Sequence, residues 1–274
     1  MNVNLVISIM VLLLTGCTST SFPDERRSFV KIRKTLSVKV CKKKKKSKKH
    51  VCKEAAEMRS SGSGAAIGRN SIGSFILTAQ HVCKDVTDDV GFVVFLERML
   101  LGKKKKKKVV KLKFDEKMTA VDIEGRVYEL DTVNEDEDRD MCVMFAENMR
   151  LKPLKRRYTE LIIGEKIYNI ASPLGIFEVN LVPLFEGRYV GVRDKFSSMY
   201  SLPATGGSSG SPILDENGRL VGMVHSVISG FRQITISPKL DDMNEFVDDT
   251  MNDYYDKWYN NILKMARPKR GAAN

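Results

Sequence analysis

The sequence predicts an all-β protein, built as barrels or a sandwich and finished by one C-terminal helix. Three observations carry this reading. Short runs rich in β-branched and aromatic residues recur along residues 28–240, bounded by glycine, proline or Asx turns. Little of that span keeps a helical period. From Leu240 to Met265 the pattern changes. There Met243, Phe246, Val247, Met251, Tyr254, Trp258 and Ile262 recur near every 3.6 residues, the stripe of an amphipathic helix expected to lie against the second half of the β region.

The elements follow in order. Residues 18–27 are polar and read as a tether. Ser28 to Val40 alternates and reads as a strand. Ser60 to Gly68 and Ser74 to Gln80 read as two more, joined by turn residues around Asn70 to Gly73. "VGFVVFLE", "VVKLKF", "RVYEL" and "MCVMFA" are four further β-type runs. After Pro153 the pattern repeats in "GEKIYNIASP", "FEVNLVPLFEGRYVGV", "SPILDENGRLVGMVHSV" and "RQITISP". This divides the chain into β regions at 28–150 and 151–240, then a helix and frayed tail at 241–274.

With 274 residues there is room for one large or two modest domains with a real core. The 42% hydrophobic content is globular and not disordered. The net charge of +12 is local: thirteen lysines lie in Lys42–Lys46, Lys48–Lys49 and Lys103–Lys108, and without them the balance is −1. Such runs are usually solvated loops, and both sit where hairpin insertions would cost little stability. The rarer use is contact with an anionic surface such as lipid headgroups, lipopolysaccharide or nucleic acid. No aromatics interleave them, so base stacking is not indicated.

Residues 1–17 read as a signal peptide. Leu5 to Leu14 is apolar but too short to span a membrane. Leu14-Thr15-Gly16-Cys17 looks like a bacterial lipobox, with Cys17 as the acylated residue that holds the protein on a membrane. Export implies an oxidising compartment. Cys41, Cys52, Cys83 and Cys142 then allow three pairings, of which Cys41 with Cys52 would close a lysine-rich loop. Metal binding with His50 has no ligand spacing to support it, and neither metal nor cofactor is expected. The source would be a bacterium or a phage that infects one.

Three residues stand where an apolar run meets a loop: His81 in "ILTAQHVC", Asp140 in "DRDMCVMF" and Ser209 in "GGSSGSP". A serine hydroxyl is a poor nucleophile until a histidine takes its proton, and an aspartate fixes the tautomer of that histidine. The glycines around Ser209 leave backbone N–H groups bare, as an oxyanion requires. Gly207 and Ser209 are the expected donors, with Gly210 allowing the tight turn behind them.

These segments resemble the trypsin-like serine peptidases (chymotrypsin fold), and most the bacterial HtrA/Do branch. "SGSGAAIG…SFILTAQHV" is similar to that branch's Gly-Ser-Gly strand and Thr-Ala-x-His-Val signature. "GRVYELDTVNEDEDRDMCVMF" is similar to its aspartate strand, "GEKIYNIASPLG" to its Pro-x-Gly strand, and "GGSSGSPILDENGRLVGMV" to its nucleophile loop and following hairpin. The resemblance covers roughly Ser28 to Leu240. It implies two six-stranded antiparallel barrels, with His81 as general base, Asp140 as orienting carboxylate and Ser209 as nucleophile. The activity implied is serine endopeptidase cleavage of protein or peptide segments through an acyl-enzyme. Gln80, Cys142, Ser208 and Ser211 depart from the branch's usual residues. Only 34 residues follow Leu240, too few for the PDZ domain the branch usually carries.

On the same resemblance Pro203 stands at the floor of the specificity pocket, and Val227 and Ile228 narrow its wall. Small or medium apolar side chains are then the expected substrates. His225 stands one residue later than the histidine with which glutamate-reading relatives select their substrate, which on a strand would turn it to the other face. A second functional reading is a non-catalytic docking or adhesion lipoprotein that works through its lysine loops. The intact set of His81, Asp140 and Ser209 argues against it.

Overall fold

Two seven-stranded antiparallel sheets, each curled on itself, carry most of the chain. They are seen in a computed structural model that describes residues 24–43, 50–101 and 110–266. The first sheet holds β1 (Phe29–Lys43), β2 (His50–Arg69), β3 (Gly73–Thr78), β4 (Val110–Asp122), β5 (Val127–Glu129), β6 (Asp131–Asp136) and β7 (Met141–Glu147), in the order β5-β4-β1-β2-β3-β7-β6. The second holds β8 (Lys166–Ile170), β9 (Leu184–Val192), β10 (Ser197–Tyr200), β11 (Pro212–Asp215), β12 (Leu220–Met223), β13 (Ser226–Ile228) and β14 (Phe231–Pro238), in the order β12-β11-β8-β9-β10-β14-β13. Three α-helices and three short 3₁₀ turns complete the described residues, the α-helices being α1 (Gln80–Cys83), α2 (Val90–Leu101) and α3 (Leu240–Ala266). The lipobox with Cys17, Lys44–Lys49 and Lys103–Lys108 lie outside the described residues.

Alternation builds the first sheet. Along β1, Val30, Ile32, Leu36 and Val38 are buried on one face, as the period of a strand requires. Lys34 shares that face and is paired with Glu116 at 2.6 Å. The residues expected to end the tether are ordered: Glu25–Ser28 form a 3₁₀ turn, and the Ser28 hydroxyl donates to the Lys152 carbonyl at 2.6 Å.

Three expectations are corrected. Each sheet has seven strands and not six. The run "RVYEL" yields only β5, a separate strand β6 begins after Leu130 in an acidic stretch, and β10 and β13 are too short and too polar to announce themselves. The run "VGFVVFLE" is helix α2 and not a strand, so the second lysine run follows a helix and does not join two strands of a hairpin. Its β-branched residues read as strand, but the Asp89 carboxylate accepts the Phe92 N–H at 2.9 Å and caps a helix start. Leu96 then packs with Leu36 and Val38. Finally, α3 lies mainly across the first sheet and not the second. Tyr254 packs on Phe75 and Phe145 at ring distances of 4.8 and 5.8 Å, and Asn134 donates to Thr250 at 2.9 Å. The apolar stripe foresaw the helix but could not say which sheet it would cover.

One core runs from the first sheet into the second. Phe75, Ile76 and Met144 share it with Leu214 and Met223 and with Met243, Phe246 and Val247 of α3. A smaller core, with Ile167, Tyr200 and Ile213, fills the second sheet. Disulfides join Cys41 to Cys52 across β1 and β2, and Cys83 of α1 to Cys142 of β7. The first is the pairing that the lysine loop pointed to. The second closes a segment of 59 residues, which a chain-entropy estimate values at about 4 kcal/mol. Replacing Cys83 and Cys142 together with serine is therefore expected to lower the urea midpoint. An unchanged midpoint, or non-reducing peptide mapping that finds other pairs, would contradict the assignment.

Candidate active site

The pairing of β3 with β7 sets the first part of the site. Thr78 faces Cys142 across this antiparallel ladder. His81 follows Thr78 by three residues and Asp140 precedes Cys142 by two, so both emerge at the same end of adjacent strands. The Gln80 N–H donates to the Asp140 carbonyl at 3.2 Å, and the His81 N–H donates to Asp140 Oδ1 at 2.9 Å. The His81 ring then meets the same carboxylate, with Nδ1 at 2.8 Å from Oδ2 and 3.0 Å from Oδ1. The Cys83–Cys142 disulfide staples the two segments just beyond this contact. Cys142, a departure from the family pattern, is thus one half of a brace. Asp140 has φ 54, a left-handed conformation that aspartate and asparagine tolerate better than most residues.

Burial raises the Asp140 pKa, but hydrogen bonds from His225, from the His81 ring and from the His81 N–H outweigh it, and the carboxyl is held well below the usual carboxylate range. It stays ionised at any pH where the protein would work. The His225 contact was not foreseen. Its Nδ1 lies 3.5 Å from Asp140 Oδ2. His225 sits in the two-residue break between β12 and β13, so strand alternation does not fix its face. Its side chain is 23% exposed, against 48% for His81.

The loop between β10 and β11 presents Ser209. It is pinned from both sides. The Ser63 N–H of β2 donates to the Ser209 carbonyl at 2.8 Å, and the Gly210 N–H donates to the Val224 carbonyl at 2.7 Å. Gly210, at φ 85, packs so closely that a Cβ there would run into the Ser63 carbonyl and the Thr78 hydroxyl. Gly207, at φ 93, is likewise hemmed in, since a Cβ there would run into the Ser172 carbonyl. The Gly206 carbonyl accepts from Leu174 N–H at 2.6 Å, and the Ser208 carbonyl accepts from Ser211 N–H at 3.0 Å. In a trans peptide the N–H points opposite to its C=O. Those two bonds therefore aim the N–H groups of Gly207 and Ser209 the other way, and among the described residues neither donates to anything.

A buried hydroxyl pair sits beneath this loop. Ser63 Oγ donates to the Gly207 carbonyl at 2.8 Å and lies 3.1 Å from Ser172 Oγ. Both serines are fully buried. Their segments, "SGSG" and "ASPLG", were picked out by resemblance, but nothing in the sequence marked these two side chains. Ser211 is likewise satisfied, accepting from Asn169 Nδ2 at 2.8 Å.

The His81–Asp140 couple is closed in this structure, whereas the Ser209 hydroxyl makes no hydrogen bond among the described residues. Ser209 opens instead onto a pocket of about 180 Å³. Residues 204–206 form one wall, residues 224–227 the other, and Arg232 lies across it. Val227 lines this pocket, and so does His225, which strand parity would have turned away, while Pro203 falls just outside the lining. Arg232 was not singled out, because a lone arginine after a turn carries no sequence signal. A second hollow of about 420 Å³ lies on the far side of His81, between Met58 and Phe92 of α2.

The model of the trypsin-like peptidase domain matches residues 62–223. Among solved structures, the serine endoprotease from Yersinia pestis superposes with a TM-score of 0.52 at 15% identity, covering 79% of this chain and 63% of its own. The chain thus spans just under two thirds of that protein. The Rv3671c protease from M. tuberculosis, in its active form, gives a TM-score of 0.52 at 14% identity, covering 78% of this chain and 77% of its own. No curated protein matches in sequence. At such identities the superpositions establish the fold, two curled antiparallel sheets of the chymotrypsin type. With the family match over more than half its length, the chain belongs to the trypsin-like peptidase domain family.

Proposed function

We propose that the protein is a serine endopeptidase that cuts extended protein segments through an acyl-enzyme. One observation carries this. A histidine–carboxylate couple lies on the first sheet, the Ser209 loop is bonded to that same sheet through Ser63, and the N–H groups of Gly207 and Ser209 donate to nothing among the described residues. In this reading Ser209 Oγ attacks the scissile carbonyl while His81 Nε2 takes its proton. His81 returns the proton to the leaving amine, and water then repeats the sequence on the acyl-enzyme. Asp140 holds Nδ1 and stabilises the imidazolium. The oxyanion sits against the N–H groups of Gly207 and Ser209. The open Ser209–His81 link is compatible with these roles, because catalytic hydrogen bonds often tighten only when substrate is bound.

Strand β13 lies at the edge of its sheet, pairs among the described residues only with β14, and supplies Ser226 and Val227 to the pocket wall. An extended substrate would pair with that free edge and enter the pocket with one side chain. The likeness to the HtrA/Do branch rests on the motifs quoted above, and it would extend to cleavage of unfolded chains. We further propose export and a lipid anchor at Cys17. Two disulfides support an oxidising compartment. Among the described residues no helix is long and apolar enough to cross a membrane. The lysine runs would face the anionic surface that such an anchor brings close.

Unfolded casein is expected to be degraded by the wild-type protein and left intact by Ser209→Ala. Equal degradation by both would sink the reading. Asp140→Asn keeps a residue that tolerates the left-handed backbone but offers His81 the wrong partner. It is expected to lower kcat by about 10⁴. A loss of under tenfold would remove Asp140 from the assignment.

A further inference from the structure

We propose that the pocket beside Ser209 selects an acidic side chain, so that the enzyme cleaves after glutamate or aspartate. The proposal rests on the peptidase reading above and names its substrate class. Arg232 carries it. The residue is the second of β14, and its carbonyl accepts the Ala204 N–H at 3.1 Å, which holds its backbone beside the pocket wall. Its guanidinium is aimed by one bond, from Nη1 to Thr205 Oγ1 at 2.9 Å. Among the described residues no carboxylate lies within ion-pair reach of it. Arg139, Arg156, Arg157 and Arg219, by contrast, each hold an aspartate or glutamate. Its charge is therefore available to a ligand.

The rest of the lining agrees. No acidic residue lines the pocket, and Asp140, which touches the lining residue His225, is also engaged by His81. The Thr205 hydroxyl accepts from Arg232, so its own hydrogen can be donated elsewhere. The Ser226 hydroxyl lines the same space and has no partner among the described residues. A carboxylate takes several donors at once, and its bonds to a guanidinium are the strong, charge-assisted kind. Val227 offers an apolar wall to the methylenes of a glutamate. A lysine or arginine would meet like charge, and an apolar side chain would desolvate the guanidinium without replacing its water. Arg232 thus replaces the apolar preference that Val227 and Ile228 alone imply.

The test uses the full-length protein and a set of fluorogenic peptides that differ only in the residue before the scissile bond: Glu, Asp, Gln, Val, Ala or Lys. The kcat/KM for Glu or Asp is expected to exceed that for Gln and Val by about ten- to a hundredfold, the range of a charged hydrogen bond. Arg232→Ala should bring the Glu-to-Gln ratio near one, Arg232→Lys should keep part of it, and Arg232→Glu should turn the preference toward Lys. Near-ultraviolet circular dichroism and thermal melts show that each variant is folded. Val or Ala cleaved as well as Glu and Asp, or a Glu-to-Gln ratio unchanged in folded Arg232→Ala, would overturn the proposal. Ser209-dependent degradation of casein with a flat peptide profile would overturn it and leave the peptidase reading standing. Failure to cleave casein or any peptide would remove both.

Discussion

Thr78 facing Cys142 across β3 and β7 is the constraint on which the site depends. A slip of one residue would turn every side chain of β7 to the opposite face. Met141 and Val143, both fully buried, would exchange places with their neighbours. The Asp140 carboxylate would leave His81, and the three bonds that His81 and Gln80 make to Asp140 would go with it. Burial of β7 on both faces fixes the register, since nothing polar could be tolerated there. The Cys83–Cys142 bridge then holds the two ends together where the ladder stops. Packing, pairing and cross-link agree on one arrangement, and the chemistry inherits it.

The second half of the proposed site is coupled to the first by polar contacts and not by apolar ones. Ser63 donates its hydroxyl to Gly207 and its N–H to Ser209, while its carbonyl accepts from Thr78. One residue of the first sheet thus holds the loop of the second. Such a network needs every member satisfied, because an unpaired buried hydroxyl or N–H is costly. The glycines complete it, since any side chain at Gly207 or Gly210 would meet backbone atoms. The loop is pinned tightly from below, and the N–H groups of Gly207 and Ser209 point away from the carbonyls that pin it.

Some of this was legible in the sequence. His81, Asp140 and Ser209 stood out because each ends or begins an apolar run, and a strand delivers its terminal residue to a rim. Gly207 and Gly210 were legible because only glycine suits such a loop. What could not be read depends on contacts between distant segments. The helix α2 reads as strand because β-branched residues favour extended chain, and only its packing on Leu36 and Val38 with the Asp89 cap reverses that. The face of α3 was visible, but its partner, the Phe75 and Phe145 side of the first sheet, was not. His225 was judged by strand parity, and a break in the strand removed that rule. Arg232 had no local signal at all, since its meaning comes from the Thr205 it reaches and from the lack of a paired carboxylate among the described residues.

An activated nucleophile at Ser209 is the central claim, and covalent trapping tests it most directly. The full-length protein would be treated with a fluorophosphonate probe and the modified peptide identified by mass spectrometry. The account predicts a single adduct on Ser209 that is lost in Asp140→Asn, because the serine is reactive only through an oriented His81. An intact, folded protein that takes no probe, or one modified elsewhere, would contradict it.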